Sequence, residues 1–136
     1  MCSKSKVNVV FIGHFSPYPT NLNDVLSAAG DLTQNEVINA LSSNEDIENV
    51  TSIVMPSMPA WPFGTFWNKE IDKNNIKAVG YLNFFLIKHL WFSIRLLFLL
   101  MKSKPDLCLQ YNSYLFENVS LIVYKYFHRK SKLAII

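Results

Sequence analysis

Apolar residues fall along this chain in two kinds of block: short β-branched runs and longer stretches with helical spacing. Val7 to Ile12 is short, mostly apolar and β-branched, and stops at Gly13, the pattern of a buried first strand. A polar, proline-containing loop is expected from His14 to Ala29. Gly30 and Asp31 then open a helix in which Leu32, Val37, Ile38 and Leu41 fall near one face, with Thr33 and Glu36 at capping-box spacing. Asn44 to Asn49 reads as a polar turn and Val50 to Met55 as a second strand. Pro56, Pro59, Pro62 and Gly64 argue for a loop between Pro56 and Trp67. Ile76 to Leu82 predicts a third strand, and Asn83 to Lys102 a long helix ended by Lys104-Pro105. Asp106 to Tyr111 reads as the fourth strand, Phe116 to His128 as another helix, and Lys132 onward as a fifth strand. Strands alternating with helices predict an α/β chain with a Rossmann-like, doubly wound parallel sheet and right-handed crossovers. The last strand stops without turn or cap, so the chain is expected to be the front portion of a larger protein.

Half of the 136 residues are hydrophobic and 17% are charged, which supplies a core and excludes intrinsic disorder. A net charge of +3 is too mild to imply a nucleic-acid partner. Cys2 and Cys108 are too few for a disulfide framework and read as free thiols in a reducing compartment. The run Val7–Ile12 contains Asn8 and falls short of the ~7–15 apolar residues of a signal-peptide core, so a cytoplasmic location is expected.

Candidate chemistry gathers where strands end. Gly13 would let the backbone approach a ligand, and His14 would bond a hydroxyl or a phosphate; the plainer reading is a turn with a solvated imidazole. Gly30-Asp31 at a helix start would offer N–H groups to an anion, but Asp31 repels phosphate and better fits a helix cap. Gln110, Tyr111, Asn112, Ser113 and Tyr114, with Glu117, form the densest polar cluster, suited to sugar hydroxyls because amides, hydroxyls and carboxylates bond directionally. Its alternative is a strand-to-helix turn in which Asn112 or Ser113 satisfies the next helix's N–H groups. The stretch from Met55 to Trp67 carries Met58, Trp61, Phe63 and Phe66 and would line a groove, rest in a membrane interface, or fold back on its own domain.

The helix from Asn83 to Lys102 is apolar nearly all round, with Lys88, Arg95 and Lys102 seven apart, in a stripe drifting only ~20° per heptad. A transmembrane span is disfavoured, since a central Lys or Arg costs about 2.5–3.5 kcal/mol on insertion scales. A packed helix with its stripe in water is expected, and docking on a membrane surface is the alternative. Lys125, His128, Arg129, Lys130 and Lys132 cluster where the last helix ends and complement its dipole.

A first strand entering a long loop and then the small-residue turn Ala28-Ala29-Gly30-Asp31 resembles the start of retaining, family-4-type glycosyltransferases of the GT-B fold. The run Lys104-Pro105-Asp106-Leu107-Cys108-Leu109-Gln110-Tyr111-Asn112-Ser113 is similar to that family's K-P-D-hydrophobic entry into its fourth main strand. The resemblance spans essentially the whole chain, in pattern more than in strict motif. It implies that residues 1–136 are the truncated N-terminal, acceptor-side half of a two-domain GT-B enzyme, without the nucleotide-sugar domain. His14, Gln110, Tyr111, Asn112, Tyr114 and Glu117 are the implied acceptor-binding residues, and Gly13 and Gly30 the implied donor-phosphate loop. Leu32 stands where the family carries a basic residue. The family's paired glutamates and diphosphate-binding basic residues belong to the second domain, so no catalytic residue carries over, and neither metal nor cofactor is implied.

The expected function is therefore the acceptor-binding part of an enzyme moving a sugar from a nucleotide sugar to a polysaccharide, glycan or lipid-linked acceptor, inactive on its own. A separate donor-domain subunit and peripheral contact with the inner face of a membrane are the further partners this reading allows. The alternative is a non-catalytic Rossmann-like subunit that docks on membranes or recruits a catalytic partner. A nucleotide-binding enzyme of another kind is a weaker third reading, because no glycine-rich phosphate fingerprint is present.

Overall fold

Val9, Val10, Phe11 and Ile12 are each no more than 2% exposed, the two-sided burial that a continuous β-branched run requires. They belong to the central strand of a computed structural model that describes residues 6–16 and 28–136. Cys2 and the middle of the loop expected from His14 to Ala29 lie outside the described residues. The elements in chain order are β1 (Val7–Gly13), α1 (Ala28–Ser42), β2 (Ile47–Val54), β3 (Trp67–Asn68), β4 (Ile71–Lys73), β5 (Ile76–Ala78), β6 (Tyr81–Leu82), α2 (Phe85–Ser103), β7 (Leu107–Gln110), α3 (Leu115–Phe127) and β8 (Lys132–Ile135).

Six strands form one sheet in the order β4-β5-β2-β1-β7-β8, parallel throughout except for β4, which runs antiparallel to β5. Ile12 stands beside Ile53 on one side and Gln110 on the other. Alternate residues of β1 serve opposite cores. Val10 and Ile12 join Ile53 and Cys108 against Phe92, Leu96 and Leu100 of α2 and Leu121 and Tyr124 of α3. Phe11 joins Val54 and Ala78 against Val37, Ile38 and Leu41 of α1. With α1 on one face and α2 and α3 on the other, the three crossovers share one hand, because the chain moves outward from β1 to β2 and back across the sheet from β5 to β7. The result is a helix-flanked, mostly parallel α/β sheet of Rossmann-like form.

Each helix boundary has a local cause. Lys104 adopts a left-handed conformation (φ 47°) and donates its N–H to Leu100 O, closing α2 just before Pro105. Fully burying residues such as Phe92, Leu96 and Leu100 stabilises by about 1.5–3 kcal/mol each. Cys108 is a buried free thiol, and burial pushes its pKa up to about 12.

Several expectations need correction. The helix α1 begins at Ala28, so Gly30 and Asp31 lie inside its first turns rather than opening it. Thr33 Oγ1 donates back to Ala29 O at 2.9 Å, which leaves no capping box with Glu36, and Leu32 faces solvent. The expected polar turn ends early, since β2 already starts at Ile47. Ile76 to Leu82 is two strands, not one: β5 joins the main sheet while β6 pairs antiparallel with β3. Gly80 separates them where the chain passes close to another backbone, for a Cβ there would stand 2.7 Å from Glu70 N. The sequence reading missed β4, which Asn74 and Asn75 turn into β5 with φ values of 52° and 63°, the signature of a primed hairpin turn. The basic stripe of α2 does not lie in water as a unit. Lys88 is buried and donates from Nζ to Met58 O at 3.2 Å, and Arg95 makes a two-point contact to Glu70 at 2.8 and 3.0 Å. Desolvation holds the Lys88 pKa below its usual value.

The packing of α2 is testable by contrast between its two sides. Leu96→Ala should lower the unfolding free energy by about 2–5 kcal/mol in urea titrations. Ile94→Asn, two residues away on the exposed side, should change it by less than about 0.5 kcal/mol. Equal losses would mean that the helix is turned differently.

Candidate functional site

Strands β1 and β7 are neighbours whose chains leave in opposite directions, toward β2 and toward β8, which makes the crevice at their carboxyl ends the topological switch point of the sheet. His14 follows β1 directly. Its backbone is held by Gln34 of α1: His14 N–H donates to Gln34 Oε1 at 3.0 Å, and Gln34 Nε2 donates to His14 O at 3.0 Å and to Gly30 O at 3.3 Å. Ser57 Oγ adds a third hold, donating to His14 O at 3.1 Å. Gly13 permits this clamp, because a Cβ at that position would collide with Gln34 Oε1. The close approach that Gly13 allows is thus to this chain's own side chain, and Gly30 is drawn into the same clamp through its carbonyl. Asp31 is the acidic residue of the first described turn of α1, and its Oδ2 accepts the Ser16 N–H at 3.3 Å across the β1–α1 connection. Burial raises the Asp31 pKa, and the Ser16 bond works against that rise.

The His14 ring turns toward α3. Nε2 lies 2.5 Å from Glu117 Oε1, and the other carboxylate oxygen accepts from Gln110 Nε2 at 3.3 Å. Glu117 and Gln110 are both essentially sealed from solvent, at 1% and 0% exposure. Glu117 sits in the first turn of α3, where a carboxylate complements the positive end of the helix. A carboxylate can only accept, so where Glu117 is ionised Nε2 is the donor of this pair. Aromatic rings wall this set: Tyr114 lies 4.1 Å from His14 between centroids, Phe92 5.7 Å edge-on, and His89 6.4 Å in a stacked orientation. Gln110 Oε1 is buried and has no hydrogen-bond partner. It is one unsatisfied acceptor beside the oriented imidazole.

Electrostatics at the site follow from burial. The His89 pKa is lowered, first by desolvation and then by the nearby Lys88 and His14, while Glu117 opposes the shift. Tyr114 is raised, first by desolvation and then by the Glu117 charge. Among the described residues, no group of three or more His, Cys, Asp or Glu side chains is placed to hold a metal ion.

Of the residues singled out in the sequence, His14, Gln110, Tyr114 and Glu117 come together, although His14 and Glu117 are 103 positions apart. Tyr111 packs on the α1 side of the sheet instead. Asn112 is exposed and left-handed (φ 62°), with its N–H donating to Ile136 O at 2.9 Å. The alternative of capping by Asn112 or Ser113 is not seen: α3 starts at an extended Tyr114 with no side-chain cap, and Ser113 Oγ accepts from Asn118 instead. Sequence reasoning missed Gln34 and His89. Nothing in the spacing marks Gln34, whereas a histidine next to a lysine in an otherwise apolar helix was a usable signal for His89. The basic cluster after α3 serves its own turn, with Lys125 Nζ donating to the carbonyls of Arg129 and Ser131. A depression of about 460 Å³ beside it, lined by Pro105, Tyr126 and Arg129 among others, lies at the opposite, amino-terminal edge of β7. Comparison of the chain with family models, curated proteins and solved structures gives no match in any of the three.

Two measurements probe this geometry. Glu117→Ala strips the partner from buried Gln110 Nε2 and His14 Nε2, so it should cost about 1–3 kcal/mol of stability in denaturant. The lowered His89 pKa means that the unfolded chain takes up a proton below about pH 6.5 that the folded chain refuses. Stability should therefore fall as pH drops through that value, and His89→Gln should flatten this acid-side slope in urea titrations taken at successive pH values.

Proposed function

We propose that the β1–β7 crevice is the acceptor side of a GT-B-type glycosyltransferase, holding a sugar hydroxyl of a polysaccharide, glycan or lipid-linked acceptor. The observation that carries this reading is the set His14–Glu117–Gln110: an imidazole oriented by a buried carboxylate, next to a buried amide oxygen without a partner, at the switch point of the sheet. Polyhydroxyl ligands suit such a place, because the Gln110 amide and the His14 ring hydrogen-bond in fixed directions while the rings of Tyr114 and Phe92 offer apolar walls. A phosphate suits it poorly. The buried carboxylate of Glu117 repels anions, and the nearby Lys88 ammonium is already directed at Met58 O. The K-P-D run entering β7 and the order of elements support the GT-B assignment, in which the nucleotide sugar binds a second Rossmann-like domain in the same chain or in a separate subunit.

Ligand-observed NMR and calorimetry on this chain, with alkyl glycosides in one arm and nucleotide sugars in the other, test the proposal. Glycosides should bind, and His14→Ala should weaken them about two- to tenfold, the equivalent of one hydrogen bond of about 0.5–1.5 kcal/mol. Micromolar affinity for any nucleotide sugar would overturn the assignment to the acceptor half. Unchanged glycoside binding in both His14→Ala and Glu117→Gln would reduce these residues to turn chemistry.

A further inference from the structure

The sides of α2 and α3 that face away from the core are themselves apolar. Leu90, Ile94 and Phe98 on α2 and Val119, Ile122 and Tyr126 on α3 are all at least 52% exposed. The two helices are tied side by side, with Ser93 Oγ bonded to Phe116 O and to Ser120 Oγ, so the two apolar sides lie on one flank of the sheet. No acidic residue occurs in α2, and the one carboxylate of α3, Glu117, is buried. The carboxyl-terminal ends of the two helices are bordered by exposed Lys102, Lys104, Arg129 and Lys130.

Charge is divided along the chain in the same sense. Residues 7–68 contain no lysine or arginine and six carboxylates, whereas residues 69–136 contain eleven lysines and arginines against four carboxylates. Because α1 lies on the opposite face of the sheet, its exposed Glu36 stands on the side away from α2 and α3.

We propose that the α2–α3 flank docks on an anionic lipid surface, both helices lying in the interface plane with the lysines and arginines among the headgroups. A large exposed apolar patch marks an interaction site, and an apolar side whose border carries Lys102, Lys104, Arg129 and Lys130 against a single exposed carboxylate at that end, Asp106, fits a negatively charged bilayer. No helix among the described residues is long and apolar enough to cross a membrane, so the contact is peripheral. Trp91, half-exposed and tied through Nε1–H to Gly80 O, sits at the rim of this flank, the position tryptophan favours at a lipid interface. Through His89 the same helix touches His14, so docking would bring the β1–β7 crevice close to the lipid surface. The proposal stands whether or not that crevice binds sugars.

Co-sedimentation of the full chain with phosphatidylcholine vesicles, with and without phosphatidylglycerol, tests it without any sugar. Binding should be about tenfold tighter to the anionic vesicles and should weaken with salt. The pair Ile94→Glu and Phe98→Glu should abolish it, and Lys102→Glu with Arg129→Glu and Lys130→Glu should erase the preference for anionic lipid. In a Trp61→Phe, Trp67→Phe background, Trp91 emission should shift to the blue on binding and be quenched by brominated lipid; this readout decides the matter even if the glutamate pair fails to fold. Absence of binding to either vesicle overturns the proposal, as does Trp91 left unquenched on bound protein. A dimer dispersed by the glutamate pair, with no vesicle binding, would assign the flank to a second copy.

Discussion

Two-sided burial of β1 is the constraint on which the rest of this structure depends. Val10 and Ile12 need cover on one face and Phe11 on the other, and a strand can be covered twice only if helices lie on both sides of its sheet. The chain meets this by sending α1 to one face and α2 and α3 to the other, which forces the outward path through β2 and the return through β7. The switch point between β1 and β7 is thus a consequence of burying a few β-branched and aromatic residues. The loops leaving the two strands diverge there toward opposite edges of the sheet.

What fills that crevice is polar and tightly held. Gln34 reaches across from α1 to fix the His14 backbone, while Glu117 and Gln110 reach from the other half of the sheet to fix its ring. His14 is thereby tied to both faces of the fold at once. An imidazole restrained at main chain and ring has little freedom left to lose on binding, which is the condition for a hydroxyl contact to contribute to affinity rather than to ordering. The apolar surroundings that seal Glu117 also strengthen its bond to His14, because the local dielectric is low.

Helix α2 joins the two regions of interest. Its inner side packs Phe92, Leu96 and Leu100 on the sheet, its first turns bring His89 against His14, and its outer side is left apolar in solvent. A helix hydrophobic all round is ordinarily buried all round. Here the sheet covers one side only, so the sequence carries more apolar surface than the described fold can hide.

The sequence by itself determined the strand–helix alternation, the central position of the first apolar run, and the two strand ends where His14 and Gln110 stand. Each is a local property: β-branched runs, helical spacing, and the stop at Lys104-Pro105. Only the tertiary structure decided which of the polar residues meet. Tyr111 and Gln110 are adjacent in sequence, yet the period-two alternation of a strand sends one toward α1 and the other toward Glu117. The seven-residue stripe on α2 looked solvent-facing because its three cations share a helix side. Burial separated them: Met58 O was within reach of Lys88 and the Glu70 carboxylate within reach of Arg95, both supplied by the segment between β2 and β5. Gln34 could not be recognised at all, since its role exists only once α1 is packed over Gly13. Local pattern fixes the type and order of the main strands and helices, while their exact ends and the partnerships between polar groups depend on how distant segments are brought together.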